Sequence, residues 1–138
     1  MKSVIAIDGP AGAGKSTIAR LLAKKLDYRY IDTGSMYRAV TWKVLDNDLN
    51  INNTSAIIEL MKELNISFTS PDKLGKSKVI VNGQILNKEI RQPIVDKNVS
   101  VVASIPEVRA EMVKMQQDIA EDKKIVMDGR DIGSRVLP

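Results

Sequence analysis

The run Gly9-Pro10-Ala11-Gly12-Ala13-Gly14-Lys15-Ser16, followed by Thr17, satisfies every fixed position of the phosphate-loop pattern. By average residue usage, a chance match in a chain this long is on the order of one in a few hundred. The pattern has a physical reason. Glycines let successive backbone N–H groups turn inward around phosphate oxygens, and the start of the following helix adds a partial positive charge. Lys15 is then placed to reach the β and γ phosphates of a nucleotide, and the Ser16 hydroxyl to ligate Mg²⁺. The competing reading is a plain glycine-rich turn before a helix. A second chemical feature lies far along the chain, where Ile125-Val126-Met127 runs into Asp128. An apolar strand ending in a carboxylate is what a Walker-B element needs, an anion held rigidly near the metal, although many strands end in Asp for turn reasons alone.

These residues need elements to hold them. Val4-Ile5-Ala6-Ile7 is a continuous apolar run, as expected of a strand buried on both faces of a parallel sheet. After the glycine-rich segment, Ile18, Leu21, Leu22 and Leu26 recur at helical spacing, which predicts an amphipathic helix with Arg20, Lys24 and Lys25 turned outward. Arg29-Tyr30-Ile31 reads as a second strand running into Asp32-Thr33-Gly34. Ser35 is the expected cap of a helix through about Asp46. The middle of the chain changes character. An Asn-rich stretch over 47–54 precedes a helix carrying Ile57, Leu60, Met61 and Leu64, and strand-like pieces follow at 66–69 and 79–86. Asn82-Gly83 between two apolar triplets is a strong type I′ hairpin signal. Pro93 is suited to open a further helix, and Ser104-Ile105-Pro106-Glu107 has capping-box spacing before the next.

Composition removes whole classes of chemistry. The 138 residues include no cysteine and no histidine. Thiolate nucleophiles, iron–sulfur clusters, His-ligated zinc and imidazole general bases are therefore excluded. Carboxylates, Lys, Arg, hydroxyls, backbone amides and an oxygen-bound cation remain. The net charge of +4 comes from scattered residues, and the aromatics Tyr28, Tyr30, Tyr37, Trp42 and Phe68 are too few for a base-stacking platform. No nucleic-acid partner is expected. The N-terminal apolar run is too short for a signal peptide or a membrane span, so no membrane partner is expected and the cytoplasm is the expected location.

Four stretches together resemble bacterial cytidylate kinases: Asp8 through Thr17, Asp32-Thr33-Gly34-Ser35-Met36-Tyr37-Arg38, Ile90-Arg91, and Asp128-Gly129-Arg130-Asp131-Ile132-Gly133. The second and fourth are specific to that family in a way the phosphate loop is not. The resemblance implies an α/β phosphate-loop NTPase fold: a parallel sheet flanked by helices, with a monophosphate-binding insertion that contains a small antiparallel sheet. Residues 1–34 and 106–138 would form the core, and 35–105 the monophosphate-binding region with its insertion. It implies transfer of the γ-phosphoryl group of ATP, with Mg²⁺, to CMP or dCMP. Gly9 through Thr17 would hold ATP, with Lys15 and Arg130 catalytic and Ser16 and Asp128 supporting the metal. Asp32, Thr33, Arg38, Ser100, Arg109, Arg130 and Asp131 would line the CMP site, Arg38 and Arg130 gripping the phosphate through planar forks. Asp131, Arg109 and Ser100 would offer the acceptor and donors that cytosine requires. Uracil would set O4 against the Asp131 carboxylate, the kind of buried mismatch that gives large discrimination.

The resembling enzymes continue well beyond residue 138, with an arginine-bearing lid, further strands and a base-binding loop. The sequence therefore reads as part of a cytidylate kinase with at most residual activity, since such arginines contribute about 10³- to 10⁵-fold. A complete enzyme would be monomeric, whereas here Val4 to Ile7 are expected to expose an edge and to associate by pairing or swapping. Another small phosphate-loop kinase, and a nucleotide-binding module without turnover, are the alternative functions.

Overall fold

The computed structural model describes residues 4–8, 15–73, 75–121 and 124–129. Strand β1 (Val4–Asp8) leads to helix α1 (Lys15–Leu26), then β2 (Arg29–Asp32), α2 (Thr33–Asp46) and α3 (Thr54–Glu63). Strands β3 (Ile66–Phe68), β4 (Val79–Val81) and β5 (Gln84–Leu86) precede a 3₁₀ turn over Lys88–Arg91, and α4 (Pro93–Ala103), α5 (Pro106–Ala120) and β6 (Ile125–Gly129) follow. The described strands form a parallel sheet in the order β1-β6-β2 and an antiparallel sheet in the order β3-β4-β5. The expected α/β architecture with a small antiparallel sheet is what the chain adopts.

β6 is the centre of the parallel sheet, with Ile125, Val126 and Met127 wholly buried. Side chains alternate across a strand, and the packing follows that alternation. Ile125 and Met127 pack with Ile31 of β2 and Ala120 of α5, whereas Val126 packs with Tyr30 and with Ala19 and Ala23 of α1. Helices thus cover both faces. A larger cluster joins Met36, Val40 and Val44 of α2 to Ile57 and Met61 of α3, to Val79 and Val81 of β4, and to Val108 and Met112 of α5. Arg29 ties the two sheets together, its Nη2 donating to the carbonyls of Phe68 and Thr69, each at 3.3 Å.

Three local expectations are corrected. α1 buries Ala19 and Ala23 instead of the larger apolar stripe, leaving Ile18 and Leu21 60% and 64% exposed. Small side chains let the helix lie close over Val126, and that contact turns the bulkier residues outward. α2 begins at Thr33 with Asp32 as its cap, the carboxylate accepting the Gly34 N–H at 2.9 Å, so Ser35 is not the cap. The Ser35 hydroxyl instead donates to the Asp32 carbonyl at 2.6 Å. No capping box forms at Ser104, which closes α4 and donates its hydroxyl to the Val101 carbonyl at 2.7 Å, while Ile105 caps α5 with Pro106 at its first turn. The hairpin forms as expected: Asn82 and Gly83 both have positive φ, at 49° and 84°, as a type I′ turn requires.

Among the described residues no helix is long and apolar enough to cross a membrane. Far from the strand ends, Asn53 caps α3 by accepting the Ala56 N–H at 3.1 Å. Asn53→Ala is expected to lower unfolding stability by about 1 kcal/mol, measured by urea titration.

Candidate functional site

The parallel register sets the carboxyl ends of the three strands side by side: Ile7 is opposite Asp128, Asp8 opposite Gly129, and Asp32 opposite Asp128. In open α/β sheets this edge is where ligands bind. In the sequence the glycine-rich segment lies between the end of β1 and the start of α1. Asp128 lies two residues after Val126 and therefore shares the α1 face of the sheet.

Asp128 is only 3% exposed. Its Oδ2 accepts the Tyr30 hydroxyl at 2.8 Å, and its backbone carbonyl accepts the Thr33 hydroxyl at 2.8 Å. Two groups reached by different routes along the chain thereby fix both the side chain and the main chain of one residue. Burial holds the Tyr30 phenol well above its usual range, and the negative charge of Asp32 and the hydrogen bond to Asp128 add to this while the Arg20 charge opposes it. Tyr30 is thus a neutral donor. Gly34 has a steric reason as well, since a Cβ there would meet Asp32 Oδ1 at 3.1 Å.

The second half of the site is built from α2, α4 and α5. Arg38 on α2 donates to the Ile90 carbonyl at 3.3 Å and pairs with the Asp96 carboxylate in the first turn of α4. Ser100 is exposed one turn further along α4, on the side that Asp96 presents to Arg38. Arg109, in the first turn of α5, lies near enough to Tyr37 for its charge to pull the phenol down against the upward push of burial. Arg38 and Tyr37 thus come from α2, Ser100 from α4 and Arg109 from α5. Arg91 is exposed at the end of the 3₁₀ turn.

Of the residues expected to act, Asp32, Thr33 and Asp128 meet at the strand ends, and Arg38 lies beside α4, the helix that carries Ser100. Thr17 is exposed on the first turn of α1. Gly9, Pro10, Ala11, Gly12, Ala13, Gly14, Arg130 and Asp131 lie outside the described residues, and for Lys15 and Ser16 only the helical backbone is described. Sequence reasoning missed Tyr30, Tyr37 and Asp96. Alternation along β2 puts Tyr30 on the face opposite Ile31, but only the pairing of β2 with β6 brings it to Asp128.

Residues 5–138 match the family model for cytidylate kinase. The chain belongs to the cytidylate kinase family. It is 53% identical over 134 residues to a cytidylate kinase of Alkaliphilus metalliredigens, covering 97% of this chain and 58% of that protein. Identity is 52% to the cytidylate kinase of Caldanaerobacter subterraneus subsp. tengcongensis, with 97% and 57% covered. For that of Caldicellulosiruptor saccharolyticus it is 50%, with 100% and 61% covered. The chain thus spans less than two thirds of the length of these cytidylate kinases.

Among the described residues no three acidic groups gather to hold a metal. Mg²⁺ does not need such a cage. It keeps several waters and is held by one or two carboxylates together with the phosphates of its nucleotide. One buried carboxylate on the α1 face fits that demand. Thr33→Val removes the hydroxyl bonded to the Asp128 carbonyl and keeps the side-chain shape, so a loss of about 1–2 kcal/mol is expected in chemical denaturation.

Proposed function

We propose that this chain binds ATP and CMP or dCMP at the carboxyl edge of its parallel sheet and transfers the γ-phosphoryl group from the first to the second. The observation that carries the reading is the placement of Asp128, buried on the α1 face at the strand end beside the end of β1. Membership of the family supports it.

In this reading the backbone amides from Gly9 to Gly14 cradle the phosphates, and Lys15 neutralises the transferring group together with Arg130. Mg²⁺, when bound, supplies positive charge at the phosphate oxygens; Ser16 and Asp128 are the residues that would hold it. Arg38 is a fork for the monophosphate. In the described structure it faces the Asp96 carboxylate, another oxyanion, so the phosphate of CMP would compete for a group already oriented toward negative charge. Asp131, Arg109 and Ser100 read the cytosine edge, and Asp32 and Thr33 shape the floor. No histidine or cysteine is required, because a loose phosphoryl-transfer transition state is stabilised mainly by positioned charge. Residues 1–34 and 106–138 act as the nucleotide core and 35–105 as the monophosphate-binding region.

Binding and turnover are separable. Calorimetry is expected to give CMP binding well above UMP binding, and a coupled ATP/CMP assay reads transfer independently. Arg38→Lys is expected to weaken CMP about tenfold, through loss of the planar fork, and to leave ATP unchanged; equal affinity for CMP would remove Arg38 from the site.

β1 pairs with β6 alone among the described strands, which supports a further proposal, self-association of the chain along that edge. Light scattering at micromolar concentration is expected to show species larger than a monomer, and a monodisperse monomer would refute it.

A further inference from the structure

Tyr30 belongs to no motif, yet it makes a buried side-chain contact with Asp128. We propose that Tyr30 is a positioning residue for the metal-supporting carboxylate, its hydroxyl fixing Asp128 in one orientation on the α1 face of the sheet. The inference rests on the proposed role of Asp128 and deepens it.

The geometry leaves the phenol little choice. Tyr30 is paired with Val126 in the β2–β6 register, and its ring is packed among Ala19, Ala23 and Val126, with 7% exposure. From there the hydroxyl reaches two residue pairs forward along the strands to Oδ2 of Asp128 at 2.8 Å. A carboxylate this buried needs a donor, because leaving it without one is costly. The type of donor matters too. A lysine or arginine in the place of Tyr30 would set a positive charge against the carboxylate, whereas a neutral phenol orients it without adding one. Groups that orient metal-supporting carboxylates in this way are commonly worth 10- to 100-fold in metal affinity.

The test compares ADP binding by calorimetry with Mg²⁺ and with a chelator, for the unsubstituted chain, Tyr30→Phe, Asp128→Asn and the double variant. The expected result is that Tyr30→Phe loses about tenfold of the Mg²⁺-dependent gain in affinity and keeps metal-free ADP binding. In the Asp128→Asn background, Tyr30→Phe should have no further effect on that gain. A purely structural tyrosine would lower the melting temperature and leave the gain untouched. If Tyr30→Phe does not fold, 4-fluorophenylalanine incorporated at position 30 fills the place of the hydroxyl without donating, and the same readout applies. Retention of the full gain by either Tyr30 variant, with its loss in Asp128→Asn, overturns the role of Tyr30 alone. Retention of the gain in Asp128→Asn, or its absence from the unsubstituted chain, overturns the reading of Asp128 and this inference with it.

Discussion

β6 pairs in parallel with β1 on one side and with β2 on the other, in a register that runs from Val4 opposite Ile125 to Asp32 opposite Asp128. The meeting of Tyr30, Asp32, Thr33 and Asp128 at the strand ends follows from that register. Because the strands are parallel, their carboxyl ends coincide, and the end of β1, the start of α2 and Asp128 lie at one edge. Because side chains alternate, Asp128 shares a face with Val126 and hence with α1, whose first residues are Lys15 and Ser16. A shift of one residue along β6 would turn Asp128 to the α5 side and bring Met127 beneath α1.

The second layer is tied to the same strands. Arg29 on β2 bonds the carbonyls of Phe68 and Thr69, Phe68 packs against both the α5-side cluster and the large helical core, and Thr33 joins the start of α2 to the Asp128 carbonyl. α2 therefore carries Arg38 from a point fixed on β6 toward α4. A phosphoryl-transfer site depends on where positive charge and donors stand. The described structure ties α1 and the start of α2 to one buried strand, as the proposed transfer would require.

Much of this was legible in the residues. The strand before Gly9, the carboxylate at the end of Ile125-Val126-Met127, the Asn82-Gly83 turn and the Pro93 helix start each rest on local chemistry that a short window contains. The parts that were not legible depend on contacts between distant segments. The face that α1 buries is chosen by the closeness that Ala19 and Ala23 allow at Val126, so hydrophobic spacing alone pointed to Ile18 and Leu21. Ser104 had the residue type and spacing of a cap, but α4 runs up to it and takes its hydroxyl. Tyr30 and Asp128 are far apart in sequence, and only the insertion of β6 between β1 and β2 makes them partners. Asp96 faces Arg38 because α4 packs on α2, which no local pattern states.

The central claim is that two phosphate-bearing ligands meet at one sheet edge, ATP from the α1 side and CMP from the side of α2, α4 and α5. A single molecule tests this most directly, adenosine and cytidine joined through five phosphates. Calorimetry should find it bound about 100-fold more tightly than ATP or CMP alone, since its second half binds at high effective concentration, and both mononucleotides should displace it. Binding no tighter than that of ATP, or displacement by ATP without displacement by CMP, would contradict the account.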